Sequence, residues 1–311
     1  MQVENLIENQ KESRILYQNC PLCESNNITE SVIGDCSKHA LFNPQIPSKM
    51  QWMNCEDCLH QFMNGYYSNE TLEIIFTKTF DYLKVGYKME EQRFVSARII
   101  EKIMPFKPNG TWLDIGFGNG SLLFTAEEYG YEPIGVDLRK ENVSILQGVG
   151  IEAHCDLVQN IEFEKSISVV SMMDVLEHIP FPKDVLISLH SKMDEDGCLL
   201  ISMPNSETMI WKHMTAKNQN PFFGSVEHYH NFSKTRLVSL LNECGFNIKK
   251  YGISERWKHY GKEDFIEKSR KKDSRKLGFT KDNWEKQTGR KRKNKSKISI
   301  TDNTRSGITG D

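Results

Sequence analysis

The fold is decided by one stretch, Thr111-Trp112-Leu113-Asp114-Ile115-Gly116-Phe117-Gly118-Asn119-Gly120-Ser121. Its apolar beginning predicts a β-strand. Its three glycines at alternate positions predict a tight turn, because glycine accepts a positive φ and lets a ligand approach bare backbone. The following residues, 121–128, predict an amphipathic helix, whose first N–H groups have no partner inside the helix. A strand, a glycine turn and a helix start in this order indicate a site for a nucleotide-like cofactor.

The next apolar run supports a cofactor at this turn. It extends from Pro133 to Val136 and ends at Asp137. A carboxylate at the end of the second strand of such a unit can accept hydrogen bonds from both hydroxyls of a ribose. We therefore place Asp137 and its neighbour Leu138 in the cofactor site. The competing interpretation is a glycine turn that binds no ligand.

The spacing of the glycines separates two cofactor families. A nicotinamide site expects G-x-G-x-x-G, but Ser121 stands where its third glycine would be, and the glycine falls one residue earlier. The resulting D-x-G-x-G-x-G pattern resembles the first motif of the class I S-adenosylmethionine-dependent methyltransferases. The resemblance implies an α/β fold with a Rossmann-like, doubly wound, mostly parallel sheet. It also implies S-adenosylmethionine as the cofactor, with contacts from Asp114, Gly116, Gly118 and Gly120.

A second segment carries the same resemblance. An apolar run from Ser168 to Met173, typical of a central parallel strand, leads into Asp174-Val175-Leu176-Glu177-His178-Ile179-Pro180. This segment is similar to the V-L-E-H-[IV] segment of small-molecule methyltransferases of the ubiquinone-biosynthesis O-methyltransferase type. Related amino-methyltransferases that act on nucleic-acid bases carry an N-P-P-[FY]-like turn after the fourth strand, and cytosine C5 enzymes carry a nucleophilic Cys in a Pro-Cys setting. The chain has neither feature at this place. We therefore expect another acceptor.

The family likeness implies further cofactor contacts. The main chain at Met173 would touch adenine, and the Asp156 carboxylate with the main chain of Leu157 would bind the adenine amino group. An ordinary turn cap is the alternative role for Asp156. Arg93, in a predicted entry helix, would bind the cofactor carboxylate, with Arg98 as the alternative.

Three histidines are candidates for catalysis. A hydroxyl acceptor benefits from a general base, and imidazole suits that role near neutral pH. His178 follows the fourth predicted strand, where open α/β sheets bind their ligands. His228 and His230 precede the last predicted helix and could reach the same cavity. Structural hydrogen bonding is the alternative role for each of the three.

Two CxxC pairs lie near the N-terminus, Cys20 with Cys23 and Cys55 with Cys58. Together they can supply the tetrahedral sulfur shell that Zn²⁺ favours, and four protein ligands make such a site structural. The segments 28–33 and 50–54 between them can form a hairpin, which predicts a zinc-ribbon-like module. Two disulfides are the competing interpretation, disfavoured in a reducing cytoplasm.

We expect the remaining cysteines and the nearby histidines not to bind the zinc ion. Cys36, His39 and His60 are predicted bystanders, any one of which could replace a zinc ligand. Three isolated cysteines in apolar surroundings are predicted core thiols; they are Cys155, Cys198 and Cys244.

These features predict four regions. Residues 1–64 form the zinc module, 65–105 a helical collar, 106–260 the cofactor-binding domain and 261–311 a basic tail. From Lys262 onward there are 16 Lys and Arg against 8 Asp and Glu, although the whole chain carries a net charge of −2. A sixth strand is predicted at Phe246–Ser254, and no antiparallel edge strand is evident after it.

The predicted function is S-adenosylmethionine-dependent methyl transfer to a small-molecule or glycan acceptor, at oxygen. No apolar run approaches the roughly 20 residues needed to cross a bilayer, and no signal peptide is recognisable, so we expect a cytoplasmic protein without membrane contact. An RNA- or ribosome-associated protein that uses the zinc module and the basic tail is one alternative. An NAD-dependent oxidoreductase is the other.

Overall fold

The computed structural model of the protein describes residues 14–76 and 81–252. Its N-terminal part contains β1 (Arg14–Ile15), β2 (Ile28–Asp35), β3 (Lys49–Cys55), β4 (Gln61–Met63) and β5 (Tyr66–Tyr67). Strands β2, β3 and β4 pair antiparallel, and β1 pairs with β5 in a separate two-stranded sheet. The hairpin predicted between the two CxxC pairs is confirmed.

Two helices lead from this part to the central sheet, α1 (Asn69–Phe76) and α2 (Met89–Ile103). The buried apolar face of α2 consists of Val95, Ile99, Ile100 and Ile103. The spacing of five residues in the sequence predicts a different apolar face, made of Phe94, Ala97, Ile100, Ile103 and Met104. Phe94, however, is 55% exposed. The helix is therefore rotated relative to that prediction.

The central sheet consists of five parallel strands in the order β10-β9-β6-β7-β8. Their bounds are β6 (Gly110–Ile115), β7 (Tyr131–Val136), β8 (Glu152–His154), β9 (Ile167–Met173) and β10 (Met193–Ser202). The helices between them are α3 (Ser121–Glu128), α4 (Lys140–Gly148) and α5 (Pro182–Lys192). The predicted Rossmann-like, doubly wound α/β fold is confirmed.

Helices cover both faces of this sheet, which is why its strands read as nearly continuous apolar runs. In β6, Trp112 packs with α2 and α3 on one face. The next residue, Leu113, packs with α5 on the other face. Successive side chains of a strand point to opposite faces, so each strand contributes to both halves of the core.

The last elements are α6 (Met209–Ala216), β11 (His230–Asn231) and α7 (Lys234–Glu243). Strand β11 pairs antiparallel with β4, so the N-terminal sheet has the order β11-β4-β3-β2. One hydrophobic core contains Leu22 and Phe62 of the N-terminal part together with Leu113 and Phe232. The N-terminal part is therefore packed into the same core as the central sheet.

The sixth strand predicted at Phe246–Ser254 is wrong for the described residues 246–252, which form no strand. Side-chain contacts hold this segment instead: Phe246 packs against His190, and the Tyr251 hydroxyl accepts a hydrogen bond from Asn205. Residues 253–254 and the predicted basic tail lie outside the described residues. Among the described residues, no helix has both the length and the apolar character needed to span a bilayer.

Candidate active site

The glycine turn has the backbone geometry that the sequence predicts. Gly116, Gly118 and Gly120 have φ values of 67°, 55° and 77°, all in the left-handed region that favours glycine. A Cβ atom on Gly116 would lie 2.7 Å from Cγ2 of Val175. On Gly118 the nearest side-chain atom would be Cδ2 of Leu83, at 3.7 Å. The segment after β9 thus packs against the start of the turn, and the backbone at Gly118 is less crowded.

Asp137 lies beside this turn, as predicted. Its carboxylate is buried and accepts a hydrogen bond of 3.4 Å from the backbone N–H of Gly118. The Arg139 guanidinium lies 3.0 Å from both carboxylate oxygens, and the Arg139 backbone N–H also donates to Oδ1. The carboxyl ends of β6 and β7 therefore present a carboxylate next to exposed turn backbone, where a ribose could bind.

Asp114 supports the turn from inside the sheet. It is buried, and its Oδ1 accepts a hydrogen bond of 2.6 Å from the Ser171 hydroxyl. The Ser171 oxygen in turn accepts one from the Trp112 indole N–H at 2.9 Å. This chain of hydrogen bonds ties β6 to β9 directly below the glycines.

Two asparagines, which the sequence did not single out, hold residues 81–87 against the glycine turn by hydrogen bonds. The Asn142 amide donates to the carbonyl oxygens of Leu83, at 2.8 Å, and Gly118, at 3.1 Å. The Asn119 amide donates to the carbonyl oxygen of Tyr87 at 2.9 Å. Residues 81–87, at the entrance to α2, therefore lie over the turn. Asn119 belongs to the glycine motif, but nothing in the sequence indicates that it binds the carbonyl oxygen of Tyr87.

The predicted adenine contacts lie at the same edge of the sheet. Oδ1 of Asp156 accepts hydrogen bonds from the Leu157 N–H and the Asn160 amide, so it fulfils the turn-cap role given as the alternative. Leu138 and Leu157, which follow the ends of β7 and β8, are 39% and 51% exposed. Met173 ends β9. Apolar side chains exposed at this edge can pack against an aromatic ring.

The structure does not bring Arg93 to the glycine turn. Its guanidinium pairs with Glu90 and with Glu128, the last residue of α3. The turn lies at the first residue of that helix. The geometry therefore gives no support to the predicted contact between Arg93 and the cofactor carboxylate.

His178 and His228 come together after the carboxyl end of β9. His178 ends the 3-10 turn Leu176–His178, and its Nδ1–H donates to the carbonyl oxygen of Glu227 at 2.8 Å. The two imidazoles contact edge to face, with ring centroids 4.7 Å apart. Burial lowers the pKa of both His178 and His228, so both rings are neutral near pH 7.

Glu177, another residue that sequence reasoning did not select, completes this group. Its side chain is 2% exposed, and its Oε1 lies 4.0 Å from Nε2 of His178. Neither carboxylate oxygen has a hydrogen-bond partner among the described residues. Burial raises the pKa of Glu177 well above its usual range, and the nearby Asp174 carboxylate raises it further. Asp174 itself has a φ of 58°, a strained value for a residue other than glycine.

His230, the third candidate histidine, lies in a different setting. It is buried in β11, its Nε2–H donates to the Ile179 carbonyl oxygen at 2.9 Å, and its Nδ1 lies 3.0 Å from Nε2 of His60. Both ring nitrogens are therefore engaged, one with His60 before β4 and the other with the segment after β9. This arrangement supports the structural role given as the alternative, and it leaves no ring nitrogen for an acceptor.

The four cysteines of the CxxC pairs converge. Sγ of Cys20 lies 3.7 Å from Sγ of Cys58, and Sγ of Cys23 lies 3.5 Å from Sγ of Cys55. All four sulfur atoms lie within 4.8 Å of one another, and the thiols are free. A tetrahedron with Zn–S bonds of about 2.3 Å requires sulfurs about 3.8 Å apart. These residues therefore fit a zinc ion.

The neighbouring cysteines and histidines lie apart from this cluster. Cys36 donates to the Pro47 carbonyl oxygen, and His39 lies against Glu227. Cys244 is buried as predicted, and Cys198 is half-buried. Cys155 is exposed, so the prediction of a core thiol is wrong there, because residues 155–157 follow the end of β8 at the surface.

Comparisons with known proteins agree with this geometry. Residues 88–251, more than half of the 311-residue chain, match the family described as "Methyltransferase domain". The chain is 28% identical over 107 residues to the ubiquinone biosynthesis O-methyltransferase of Proteus mirabilis, which covers 32% of this chain and 44% of that protein. It is 29% identical over 101 residues to the enzyme of the same name from Chromobacterium violaceum, covering 30% and 44%. The matched stretch thus spans less than half the length of these relatives.

Solved structures with a similar chain path include two methyltransferases. A SAM-dependent methyltransferase from Archaeoglobus fulgidus is 24% identical, with a TM-score of 0.42 over 52% of this chain and 75% of that one. The magnesium protoporphyrin IX methyltransferase of Synechocystis, solved with bound SAH, is 17% identical, with a TM-score of 0.42 over 52% and 77%.

The family match includes the glycine turn, Asp137 and the segment from Asp174 to His178. It therefore decides against the oxidoreductase alternative, in agreement with the glycine spacing. The chain belongs to the methyltransferase-domain family, as a class I S-adenosylmethionine-dependent methyltransferase.

Proposed function

We propose that this protein transfers the methyl group of S-adenosylmethionine to a hydroxyl oxygen of a small molecule. One observation carries the proposal. Val175 packs against Gly116, which places the neutral His178 and His228 beside the cofactor turn at the carboxyl ends of the strands. The O-methyltransferase names of the matched relatives support oxygen as the acceptor atom.

The residues of the turn suit the cofactor. Gly118 would offer its backbone N–H, and Asp137 would bind the ribose hydroxyls, sharing its carboxylate with Arg139. Leu138 and Leu157 would pack against the adenine. When bound, the cofactor supplies a methyl group on a positively charged sulfur. The chain then has to hold the hydroxyl in line with that methyl group and remove its proton, and positioning of this kind is a large part of such catalysis.

The experiment is calorimetry with S-adenosylhomocysteine on the full chain. Asp137→Ala removes a charge-assisted acceptor, and we expect the affinity to fall by roughly tenfold to a hundredfold, or about 1.5–3 kcal/mol. Asp196→Ala, which removes an exposed carboxylate near the amino end of β10, is the matched control and should leave the affinity unchanged. Wild-type protein that binds no S-adenosylhomocysteine would overturn the proposal, and so would an unchanged affinity in a folded Asp137→Ala variant.

We also propose that Cys20, Cys23, Cys55 and Cys58 bind a structural zinc ion. Metal analysis of the purified protein should find zinc at this site. Cys20→Ser should lose it and lower the unfolding temperature of the whole chain, because a structural site contributes folding energy directly and Cys55 belongs to the shared core. Cys155→Ser, at an exposed thiol, is the control. Equal zinc content in both variants would contradict the assignment.

A further inference from the structure

The hairpin of β2 and β3 reaches from the four-cysteine cluster to the candidate active site. At one end of the hairpin, β3 ends at Cys55, one of the proposed zinc ligands. At the other end, residues 36–48 connect the two strands. His39 lies in this loop, and its Nε2 lies 3.5 Å from Oε2 of Glu227. The loop therefore brings a side chain of the N-terminal part next to the residue that precedes His228.

The hairpin packs very closely against the 3-10 turn that ends at Gly224. A Cβ atom on Gly34 would lie 1.6 Å from the carbonyl oxygen of Phe223, and one on Gly224 would lie 2.6 Å from the carbonyl oxygen of Asp35. The Trp52 indole N–H also donates to the Phe223 carbonyl oxygen, at 3.0 Å. The loop after β2 and the segment before β11 therefore hold fixed positions relative to each other.

Hydrogen bonds of His39 and His178 determine which nitrogen of each ring carries the proton. The Leu41 backbone N–H donates to Nδ1 of His39 at 3.3 Å, so a neutral His39 carries its proton on Nε2, toward Glu227. His178 donates its Nδ1–H to the Glu227 carbonyl oxygen at 2.8 Å, which leaves the lone pair of the neutral ring on Nε2. Glu227 thus contacts one histidine through its side chain and the other through its backbone.

This arrangement suits a general base at His178. A partner on the second ring nitrogen holds a catalytic imidazole in the correct tautomer and orientation, and a nearby negative charge stabilises the imidazolium that forms. Glu227 supplies both the carbonyl partner and the charge. Its Oε2 is buried and has no hydrogen-bond partner in the part of the chain that the structure describes. The contact with His39 is therefore electrostatic, at a distance longer than a usual hydrogen bond.

We propose that His39 is a positioning residue for methyl transfer, which holds Glu227 in place and thereby keeps His178 in the tautomer whose Nε2 takes the acceptor proton. This proposal rests on the proposed methyl transfer to oxygen. As the acceptor O–H bond breaks, its proton moves to Nε2 of His178 and its electrons stay on oxygen, which forms the bond to the methyl carbon. The electrons of the broken carbon–sulfur bond stay on sulfur. His39 acts only through Glu227.

The test is NMR of the histidine ring nitrogens, on the isotope-labelled full chain saturated with S-adenosylhomocysteine. The nitrogen shifts report the tautomer and the pKa of each ring, and His178→Ala identifies the His178 signals. In the wild type, we expect the proton of the neutral His178 ring on Nδ1. His39→Leu should give a mixture of the two tautomers. His39→Gln, whose amide N–H can replace Nε2–H, should restore the wild-type signals. Lys38→Ala, at an exposed neighbouring position, is the matched control and should leave them unchanged.

Titration of the same samples gives a second measurement. Five charged or titratable groups act on the His178 ring: Asp174, Glu177, Glu227, His228 and Arg139. Burial lowers the pKa of His178, and the Glu227 carboxylate acts against it. Glu227→Gln removes that charge but keeps the backbone carbonyl, so the His178 midpoint should move to lower pH while the tautomer stays the same. His39→Leu releases the carboxylate and should move the midpoint in the same direction by less.

The outcomes separate this proposal from the function on which it rests. If S-adenosylhomocysteine does not bind to the wild type, the methyl-transfer function fails. If it binds and the His178 signals and midpoint are the same in wild type and His39→Leu, the positioning role alone fails. A wild-type His178 with its proton on Nε2 also overturns that role. Should His39→Leu not fold, Glu227→Gln decides, because an unchanged His178 midpoint in that variant contradicts the proposal.

Discussion

At the amino ends of β9 and β10, the Asp194 carboxylate accepts a hydrogen bond from Ser168 at 2.6 Å and pairs with Lys107 at 3.0 Å. Near the carboxyl end of β9, the Glu177 carboxylate is more deeply buried and has no hydrogen-bond partner among the described residues. The same sheet therefore satisfies its polar groups at one end and leaves a carboxylate unsatisfied at the other. The difference separates the end that contributes stability from the end that we expect to bind ligands.

Positive φ values occur in the backbone at both ends of the sheet. Gly116 and Asp174, which follow β6 and β9, both have positive φ values. Glycine accepts such a φ without strain, whereas Asp174 is strained, and strain of this kind clusters at functional sites. At the amino end, Gly110 and Gly130 also have positive φ values. A Cβ atom on Gly110 would lie 2.1 Å from Oγ of Ser168, whereas one on Gly130 would meet nothing within 4 Å. The two ends can therefore be compared by matched substitutions.

The largest expected effect is on catalysis. His178→Ala should lower the rate of methyl transfer by roughly 10²–10⁴-fold, the usual contribution of a general base, because it removes a neutral imidazole that can take the hydroxyl proton of the acceptor. Its affinity for S-adenosylhomocysteine should stay near that of the wild type. Lys107→Ala, at the opposite end of the sheet, should leave the rate unchanged. Equal rate losses in the two variants would contradict the assignment of the active site to the carboxyl ends of the strands.

The second effect is on the turn. Gly116→Ala and Gly130→Ala both place a side chain at positive φ, which costs about 1–2 kcal/mol. Only Gly116→Ala also brings a Cβ to 2.7 Å from Val175, so its loss of unfolding free energy should be the larger of the two. It should also weaken binding of S-adenosylhomocysteine, whereas Gly130→Ala should not.

A double variant sharpens this comparison. Val175→Ala combined with Gly116→Ala removes the close contact between the two side chains. The double variant should therefore regain the unfolding free energy lost to that contact, but not the part lost to the positive φ of residue 116. Urea unfolding of the three variants measures it. Equal losses of unfolding free energy in Gly116→Ala and Gly130→Ala would mean that Val175 does not pack closely against the turn.

The smallest effect is pH-dependent. Hydrogen bonds from Ser168 and Ser166, together with Lys107, lower the pKa of Asp194 to about 2. A carboxyl with a lowered folded-state pKa contributes stability above its unfolded pKa of about 3.9 and loses it as the pH falls through the folded value. The Asp194 side chain is 27% exposed, so solvent screening limits the contribution to about 1 kcal/mol.

Urea unfolding at pH 7 and at pH 2 measures this contribution. Asp194→Asn should be less stable than the wild type at pH 7, and the difference should shrink at pH 2. Its rate of methyl transfer should not change. A constant difference between the two proteins at both pH values would contradict the assignment.

The sequence predicted those parts of the site that depend on local patterns. The glycine turn and Asp137 could be found because a strand, a turn and a helix follow one another within some thirty residues of chain. The position of His178 followed from the same rule for parallel strands. The CxxC pairs were equally local, and their convergence needed only one hairpin.

Other parts depend on contacts between distant segments. The sequence allowed His230 either to reach the acceptor cavity or to make structural hydrogen bonds, and it could not indicate which, because the partner His60 lies 170 positions away. The exposure of Phe94 on α2 also depends on how distant segments pack. The same is true of the hydrogen bonds from Asn142 to Leu83 and Gly118. The Glu177 carboxylate has no hydrogen-bond partner among the described residues. The spacing of residues in a sequence cannot indicate this, because it depends on which side chains come close in the fold.

The pairing of β4 with β11 also has a consequence for the order of folding. It joins Phe62 to His230, so the edge of the N-terminal sheet stays unpaired during synthesis until residue 231 has left the ribosome. Contacts of such long sequence separation form slowly, because the entropy of closing the loop comes first. A bound zinc ion could stabilise the early hairpin of β2 and β3 during that interval. We therefore expect the emerging chain to be most open to aggregation after its zinc ligands have appeared and before its central sheet is complete.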